Sequence, residues 1–522
     1  MNGKMVAAIA AMALAASATA GDLRNRWVYV QDALVAPDCV EKVSNAVLTA
    51  KAGGMNGVML TCGLDFCRFW PYERHVRFSR IKKICEDAGM EIVPSIWTLG
   101  YGGLSNYGLT FAEGFPVEDV PLKVEGTNAV FDASSSFTTN LSATAGFQRD
   151  GCYRRLIKKV SLKPHRYYRY SFEFRTKGLA GEKPFKVIAR DATIKMFFER
   201  ECINVDYRPT QDWTPCSLTF SSGESDTHYL YIGFMGGWKA GDFEVRNVTL
   251  AETAPRQILR RPGTPRILRN AATGETYKEG RDYALPKLRY PLPRQDLPEC
   301  ALAIPPGSRI KPGDRLVFSC YTPCVVYGGQ VSTCLSEPAL YEAMEDSAKR
   351  IEEKLHPAKW MLSMDEFRNG GTCAACRARG KPVGEMYAEA VTRAFNTIRK
   401  IHPGAEVYIW SDMLDPNHNS VKEYYNCIGS FEDTWKGVPK DLIMCCWYDK
   451  KSHLSMPFFS SKGFRTLAAA YYDEKTPFEY SRKWRDVVQR TDGAIGIMYT
   501  TWRHAYGDLP EFCRALDLPG AK

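Results

Sequence analysis

The sequence has no long run of lysine or arginine and no strongly basic helical stretch. Its 69 basic and 59 acidic side chains leave a formal charge of +10 spread over 522 residues. That mild excess fits a solvated surface and excludes nucleic acid as the expected partner. No GxGxxG motif or P-loop follows the first strand-like segment, so the usual phosphate cradles of a doubly wound sheet are missing. The eight histidines never fall at HxxxH spacing, and no Ser/His/Asp arrangement stands out. Neither a metal site nor a cofactor is therefore expected. Past the N-terminal segment, no apolar stretch reaches the roughly 20 residues that cross a bilayer, so no membrane span is expected.

What is present begins with "MNGKMVAAIAAMALAASATAGD". Lys4 precedes a short apolar core at Val6–Ala16, and small residues at 18–20 precede Gly21. This is the pattern of a signal peptide over 1–20, with cleavage near Ala20 and export to the periplasm or the medium. Cysteine is plentiful at 17, and export would permit disulfides. The "CAAC" at 373–376 stands alone, without a second Cys or His pair nearby in the sequence, so it is a weak zinc signal and reads rather as a local disulfide or as structural thiols. Cys445 and Cys446 lie in a strand-like run and read as small buried residues.

From Arg26, β-branched runs alternate with stretches of helical period: "RWVYVQ", "NGVMLTC" and "EIVPSIWTLGYGG" are strands, with helices between them. From about 120 to 253 helical stretches vanish and short alternating segments follow one another, an all-β sandwich by pattern. Residues 254–336 are rich in Pro and Arg and read as a β-rich connecting region. The strand–helix rhythm returns at 337 with strands at "KWMLSMDE", "AEVYIWSDM", "DLIMCCWYD", "FRTLAAAYYDE" and "GAIGIMYTTW", and a short helix is expected near 419–426. Three strands before the interruption and five after it give an α/β fold, a (β/α)8 TIM barrel with a jelly-roll sandwich inserted after strand three. The expected divisions are 1–20, 21–119, 120–253, 254–336 and 337–522.

In such barrels chemistry collects where the strands end. Strand two ends near Asp65 and strand three at Trp97. Strand four ends in adjacent acids, Asp365 and Glu366. Strand five carries Trp410 and Asp412, strand six Trp447 and Asp449. Strand seven carries Tyr471, Tyr472, Asp473 and Glu474, and strand eight Tyr499 and Trp502. Aromatic faces with carboxylates suit an oligosaccharide or polysaccharide partner, because rings stack on sugar C–H faces and acids hold or protonate oxygens. His418, in "DPNHNS", follows strand five and reads as loop packing. Side chains at adjacent strand positions face opposite ways, so both acids reach one pocket only if the strand flares after residue 362. Two close carboxylates are then expected to raise one pKa, keeping Glu366 protonated.

The run "MLSMDEF", followed by "YIWSDM", "CCWYD", "YYDE" and "MYTTWR", resembles glycoside hydrolase family 20, the β-N-acetylhexosaminidases, over roughly 26–103 and 337–516. The resemblance implies an exo-acting, retaining glycosidase for 2-acetamido sugars, and the N-terminal segment implies that it is exported. Glu366 would be the general acid/base, and Asp365 would orient the substrate's own acetamido group as nucleophile. Tyr472 or Tyr471 would hydrogen-bond its oxygen, and Trp410, Trp447 and Trp502 would wall the sugar. Trp97, Asp412, Asp449 and Asp473 complete the expected rim. Two departures from the family stand out: Ser363–Met364 replace the Gly pair before the acids, and Arg503 replaces an acid after the last-strand Trp. Two other readings remain open: Glu366 paired with Asp473 as nucleophile on a non-acetamido sugar, and a glycan-binding protein without catalysis. The insert, through "SFEFRTKGLAG", "DWTPCSLTFSS" and "GDFEVRNVTLAE", looks like a galactose-binding-type jelly roll of the carbohydrate-binding-module kind.

Overall fold

The structure, a computed structural model, describes residues 22–100, 111–135, 138–141, 148–150, 154–195, 199–287, 297–324, 331–470, 473 and 477–516. The expected signal peptide, Tyr471, Tyr472 and Glu474 lie outside the described residues.

Eight parallel strands close a barrel: β1 (Asn25–Gln31), β2 (Gly57–Thr61), β3 (Glu91–Ile96), β4 (Lys359–Leu362), β5 (Glu406–Trp410), β6 (Ile443–Cys446), β7 (Thr466–Ala470) and β8 (Ala494–Tyr499). The ring closes through β1 against β8, with Trp27 beside Met498. Between the strands run α1 (Cys39–Ala52), α2 (Tyr72–Asp87), α3 (Pro338–Leu355), α4 (Val383–Ile401), α5 (Ser452–Ser461) and α6 (Pro477–Gln489), and α7 (Leu509–Ala515) follows β8. The apolar positions of α4, among them Val383, Met386, Tyr387, Ala390, Val391, Ala394 and Ile398, recur at three and four residues and form its buried stripe. Among the described residues no helix is long and apolar enough to cross a membrane.

The helix expected near 419–426 is absent. The chain there is extended enough to pair Asn426 and Cys427 with Asn369 and Gly370, and Tyr424 is buried. A short 3-10 turn at Thr434–Gly437 packs against α4 in its place.

Strand alternation sorts the barrel side chains. Trp27 and Tyr29, Met59, Val93, Met361, Tyr408 and Trp410, Ile443 and Cys445, and Leu467 and Ala469 fill the interior. Their neighbours Val28, Val30, Val58, Leu60, Ile92, Leu362, Val407, Ile409, Met444 and Cys446 face the helices. This is the period-two rule of a strand buried on both faces.

Among the described residues, three antiparallel sheets lie between β3 and α3. A five-stranded sheet (ordered 199–205, 185–191, 227–234, 155–161, 148–150) and a four-stranded one (211–221, 167–181, 238–252, 138–140) share one core, with Tyr170, Phe172 and Phe174 against Val187, Leu230 and Ile232. The third sheet takes strands from both sides of that sandwich: Gly114–Glu125 pairs with Arg315–Pro323. Residue 120, expected to open the sandwich, thus falls inside a strand of the third sheet. Its Val117, Val120 and Leu122 face Leu316, Phe318 and Cys320 in a core of their own. The two ends of the interruption meet, with Ala112 bridged to Thr333 and the Cys334 amide donating to the Phe111 carbonyl at 2.6 Å.

Candidate functional site

The strands' C-terminal ends open on a cavity of about 310 Å³ lined by Tyr29, Gln31, Thr61, Thr98, Ser363, Asp365, Glu366, Trp410, Trp447 and Trp502. Most of that lining follows from strand parity. Interior Tyr29 is followed two residues on by Gln31, Met59 by Thr61, Met361 by Ser363 and Asp365, Tyr408 by Trp410, and Cys445 by Trp447. The rings form one wall: Tyr29 lies 4.9 Å from Trp502 and 6.0 Å from Trp410, and Trp410 lies 6.0 Å from Trp502, centroid to centroid. The Trp410 indole Nε1 is buried without a hydrogen-bond partner among the described residues.

Glu366 breaks parity and still reaches the cavity. Strand β4 stops at Leu362, and Glu366 takes the left-handed backbone region at φ 44°. A side chain with a Cβ is strained there by roughly 1–2 kcal/mol, and the turn brings Glu366 round beside Asp365. Two contacts hold it. The Glu366 amide donates to Asp412 Oδ2 at 2.9 Å, and Arg368 forms an ion pair with the Glu366 carboxylate at 2.9 Å. Gly100 packs so closely that a Cβ there would lie 2.7 Å from both the Asp365 and the Glu366 carbonyl oxygens.

The charge acting on the acid pair differs from the expected one. Burial pushes the Asp365 carboxyl up to about 7, with the Asp412 carboxylate as the second cause. Glu366 is also raised, again mainly by burial, while Arg368 opposes the shift. The two neighbours do not raise each other as expected; Asp412, from the 3-10 turn that follows β5, acts on both. Asp412 is buried and receives three donors: the Glu366 amide, Asn419 Nδ2 at 2.9 Å and the Trp447 side chain. Burial raises Asp412 as well, but those donors favour its ionised form, so the proton of this close pair rests on Asp365.

Of the other expected residues, Trp410, Trp447 and Trp502 line the cavity with the acid pair, and Asp412 stands behind it. Trp97 does not line it. Its backbone is left-handed at φ 60°, and its fully buried indole turns to the helix layer, donating to Ser347 Oγ at 2.9 Å. Thr98 takes its place at the rim, while the buried Asp65 accepts from the Trp97 amide at 3.1 Å. Asp449 starts a 3-10 turn away from the lining, where its carbonyl accepts from Ser452 and Lys483. Asp473, also left-handed, spends its carboxylate on the loop after β8, accepting from the Thr501 hydroxyl at 2.5 Å and from the amides of Trp502 and Arg503 at 2.9 and 3.1 Å. It therefore positions Trp502 and does not enter the cavity.

The sequence reading missed Tyr29, Gln31, Thr61, Thr98 and Ser363. Parity along the first, second and fourth strands carries the signal for all but Thr98. His418 stacks on Tyr448 and meets Trp447 edge-on, each at 4.4 Å, and burial lowers its pKa to about 4, so it is neutral packing near Glu366 at ordinary pH. The reading of "CAAC" as an isolated motif also changes, because the fold brings Cys334 and Glu113 against Cys373 and Cys376.

No family model and no curated protein matches the chain. Among solved structures, a CBM4 carbohydrate-binding module is 14% identical, with a TM-score of 0.17 over 28% of this chain and 83% of that one. The CBM22-1 xylan-binding domain of Paenibacillus barcinonensis Xyn10C is 11% identical, with a TM-score of 0.15 over 28% of this chain and 97% of that one. Pyruvate kinase of Cryptosporidium parvum is 8% identical, with a TM-score of 0.30 over 99% of this chain and 71% of that one. Likenesses this slight identify neither the fold nor the activity of this chain.

Proposed function

We propose that the protein is an exported glycoside hydrolase of the (β/α)8 TIM-barrel class, exo-acting and retaining, which cleaves 2-acetamido sugars with the substrate's own acetamido oxygen as nucleophile. The observation that carries this reading is the pairing of Asp365 with Glu366 in a cavity walled by Tyr29, Trp410, Trp447 and Trp502. Rings offer apolar faces to a sugar, and raised carboxyls offer protons.

In this scheme Glu366, raised by burial, protonates the leaving oxygen. Arg368 then stabilises the carboxylate that remains, which activates water in the second half-reaction. Asp365 holds the acetamido N–H. That donor stabilises the ionised form of Asp365 and so displaces its proton when substrate binds. Displaced from the cavity and bonded to the loop after β8, Asp473 lends no support to the scheme in which it is the nucleophile. The sandwich is proposed as a carbohydrate-binding-module-like unit that holds glycan near the barrel.

A panel of aryl glycosides, with and without the 2-acetamido group, tests the proposal. Turnover confined to 2-acetamido substrates, with retention of configuration, is expected. Turnover of plain glucosides or galactosides at equal rates would refute the acetamido role, and glycan binding without turnover of any substrate would refute catalysis.

A further inference from the structure

We propose that Glu113, Cys334, Cys373 and Cys376 bind a structural zinc ion. The four ligand atoms lie within 4.8 Å of one another, and all four residues are buried. Cys334 Sγ lies 3.6 Å from both Cys373 Sγ and Cys376 Sγ, and Cys376 Sγ lies 3.3 Å from Glu113 Oε2. A tetrahedral zinc with Zn–S near 2.3 Å and Zn–O near 2.0 Å requires S···S of about 3.8 Å and S···O of about 3.5 Å. Those three distances are within about 0.2 Å of the tetrahedral values, and the remaining pairs fall inside 4.8 Å.

The surroundings are built for it. Glu113 Oε1 accepts from the amides of Gly114 and Cys373, each at 2.9 Å, which fixes the carboxylate and turns Oε2 toward the thiols. Such outer contacts are what orient a metal's carboxylate ligand. The Arg261 guanidinium, its side chain only 2% exposed, lies beside Cys373 and Cys334 and donates to the Ala112 carbonyl at 3.0 Å. Three thiolates and a carboxylate around a dication leave a charge of about −2, and a buried guanidinium offsets part of it. Binding releases to solvent whatever protons the three thiols and the carboxyl carry and changes no oxidation state.

Four protein ligands leave no open position, which marks a structural and not a catalytic ion. Its place in the chain says what it holds. Glu113 and Cys334 stand at the two ends of the long interruption, and Cys373 and Cys376 stand at the start of and within the short helix Ala374–Arg377 that follows the acid pair. One ion therefore fastens the mouth of the insertion to the loop carrying Asp365 and Glu366, whatever reaction the cavity performs.

The test is zinc content by mass spectrometry on the full chain, purified under reducing conditions and dialysed after exposure to Zn²⁺. About one zinc ion per chain is expected, with Cys373→Ala/Cys376→Ala falling to near none. The control His402→Ala, which removes the more exposed Glu352–His356–His402 group, should leave the count unchanged. Should the double variant fail to fold, Co²⁺ exchanged into the wild-type chain supplies an independent readout: tetrahedral visible bands with thiolate-to-cobalt charge transfer are expected. A folded wild-type chain that takes up neither zinc nor cobalt would overturn the proposal, as would a disulfide mapped between Cys334 and Cys373 or full zinc in the folded double variant.

Discussion

Replacing Asp365 with Asn should stabilise the protein, and by an amount that depends on pH. Asp365 is carried from the ordinary 3.8 to about 7 by burial and by Asp412. Between those values the native state keeps a proton that the unfolded chain releases, so the native state binds more protons and stability falls as pH rises. The loss begins near pH 4 and is complete just above pH 7. At about 1.4 kcal/mol per pH unit it has a ceiling of about 4 kcal/mol. Asp365 borders an open cavity and is not fully shielded, and water there cuts this to about 2 kcal/mol. Asn has the same shape and no charge, so Asp365→Asn should match the wild type near pH 4 and exceed it by about 2 kcal/mol at pH 8. Denaturant unfolding at pH 4, 5, 6, 7 and 8, followed by fluorescence of the buried Trp27, Trp360, Trp410 and Trp484, measures the gap. A gap that stays constant with pH, or that favours the wild type at pH 8, would refute the proton placement on Asp365.

Other consequences are open to measurement. Glu366→Gln keeps the fold and should lower turnover of substrates with poor leaving groups by roughly 10²–10⁴-fold, while an unchanged rate would remove Glu366 from the acid role. Arg368→Met removes the cation that favours ionised Glu366, so the alkaline limb of the rate profile should move to higher pH; a shift to lower pH would contradict the pairing. Gly100→Ala places a Cβ against the carbonyls of the acid pair, and a displacement near 1 Å there should cost about 10²-fold in rate, read by comparing kcat with binding of a substrate analogue. Asp473→Ala removes the acceptor of the part-buried Trp502 amide and of the exposed Arg503 amide and should cost roughly 0.5–1.5 kcal/mol in unfolding experiments, with the chemical step slowed only through Trp502.

Much of the barrel was legible because each strand announces itself as an apolar run between helix-period stretches. The acid pair was legible because it sits where such a run stops. Parity then reaches as far as the backbone stays extended: it places Asp365, Trp410 and Trp447 in the cavity. Parity fails at Trp97, Glu366 and Asp473, where left-handed backbone turns the side chain to a different side. A β-branched or aromatic run does not reveal such a turn, because it is imposed by contacts from other strands, such as the Asp412 bond to the Glu366 amide. The missing helix near 419–426 has the same origin, a tertiary pairing with Asn369–Gly370 that outweighs local preference. The cluster of Glu113, Cys334, Cys373 and Cys376 was the least legible feature. Cys334 and Glu113 approach "CAAC" only because the ends of the interruption pair, which no local spacing records.

The most direct test of the account is inhibition by a thiazoline that mimics the cyclised acetamido intermediate. If Asp365 orients the acetamido group and Glu366 protonates the leaving oxygen, the thiazoline should compete with substrate and bind far more tightly than it, and Asp365→Asn should weaken it sharply. Absence of thiazoline inhibition, together with covalent labelling of a protein carboxylate by a 2-fluoro sugar, would contradict it.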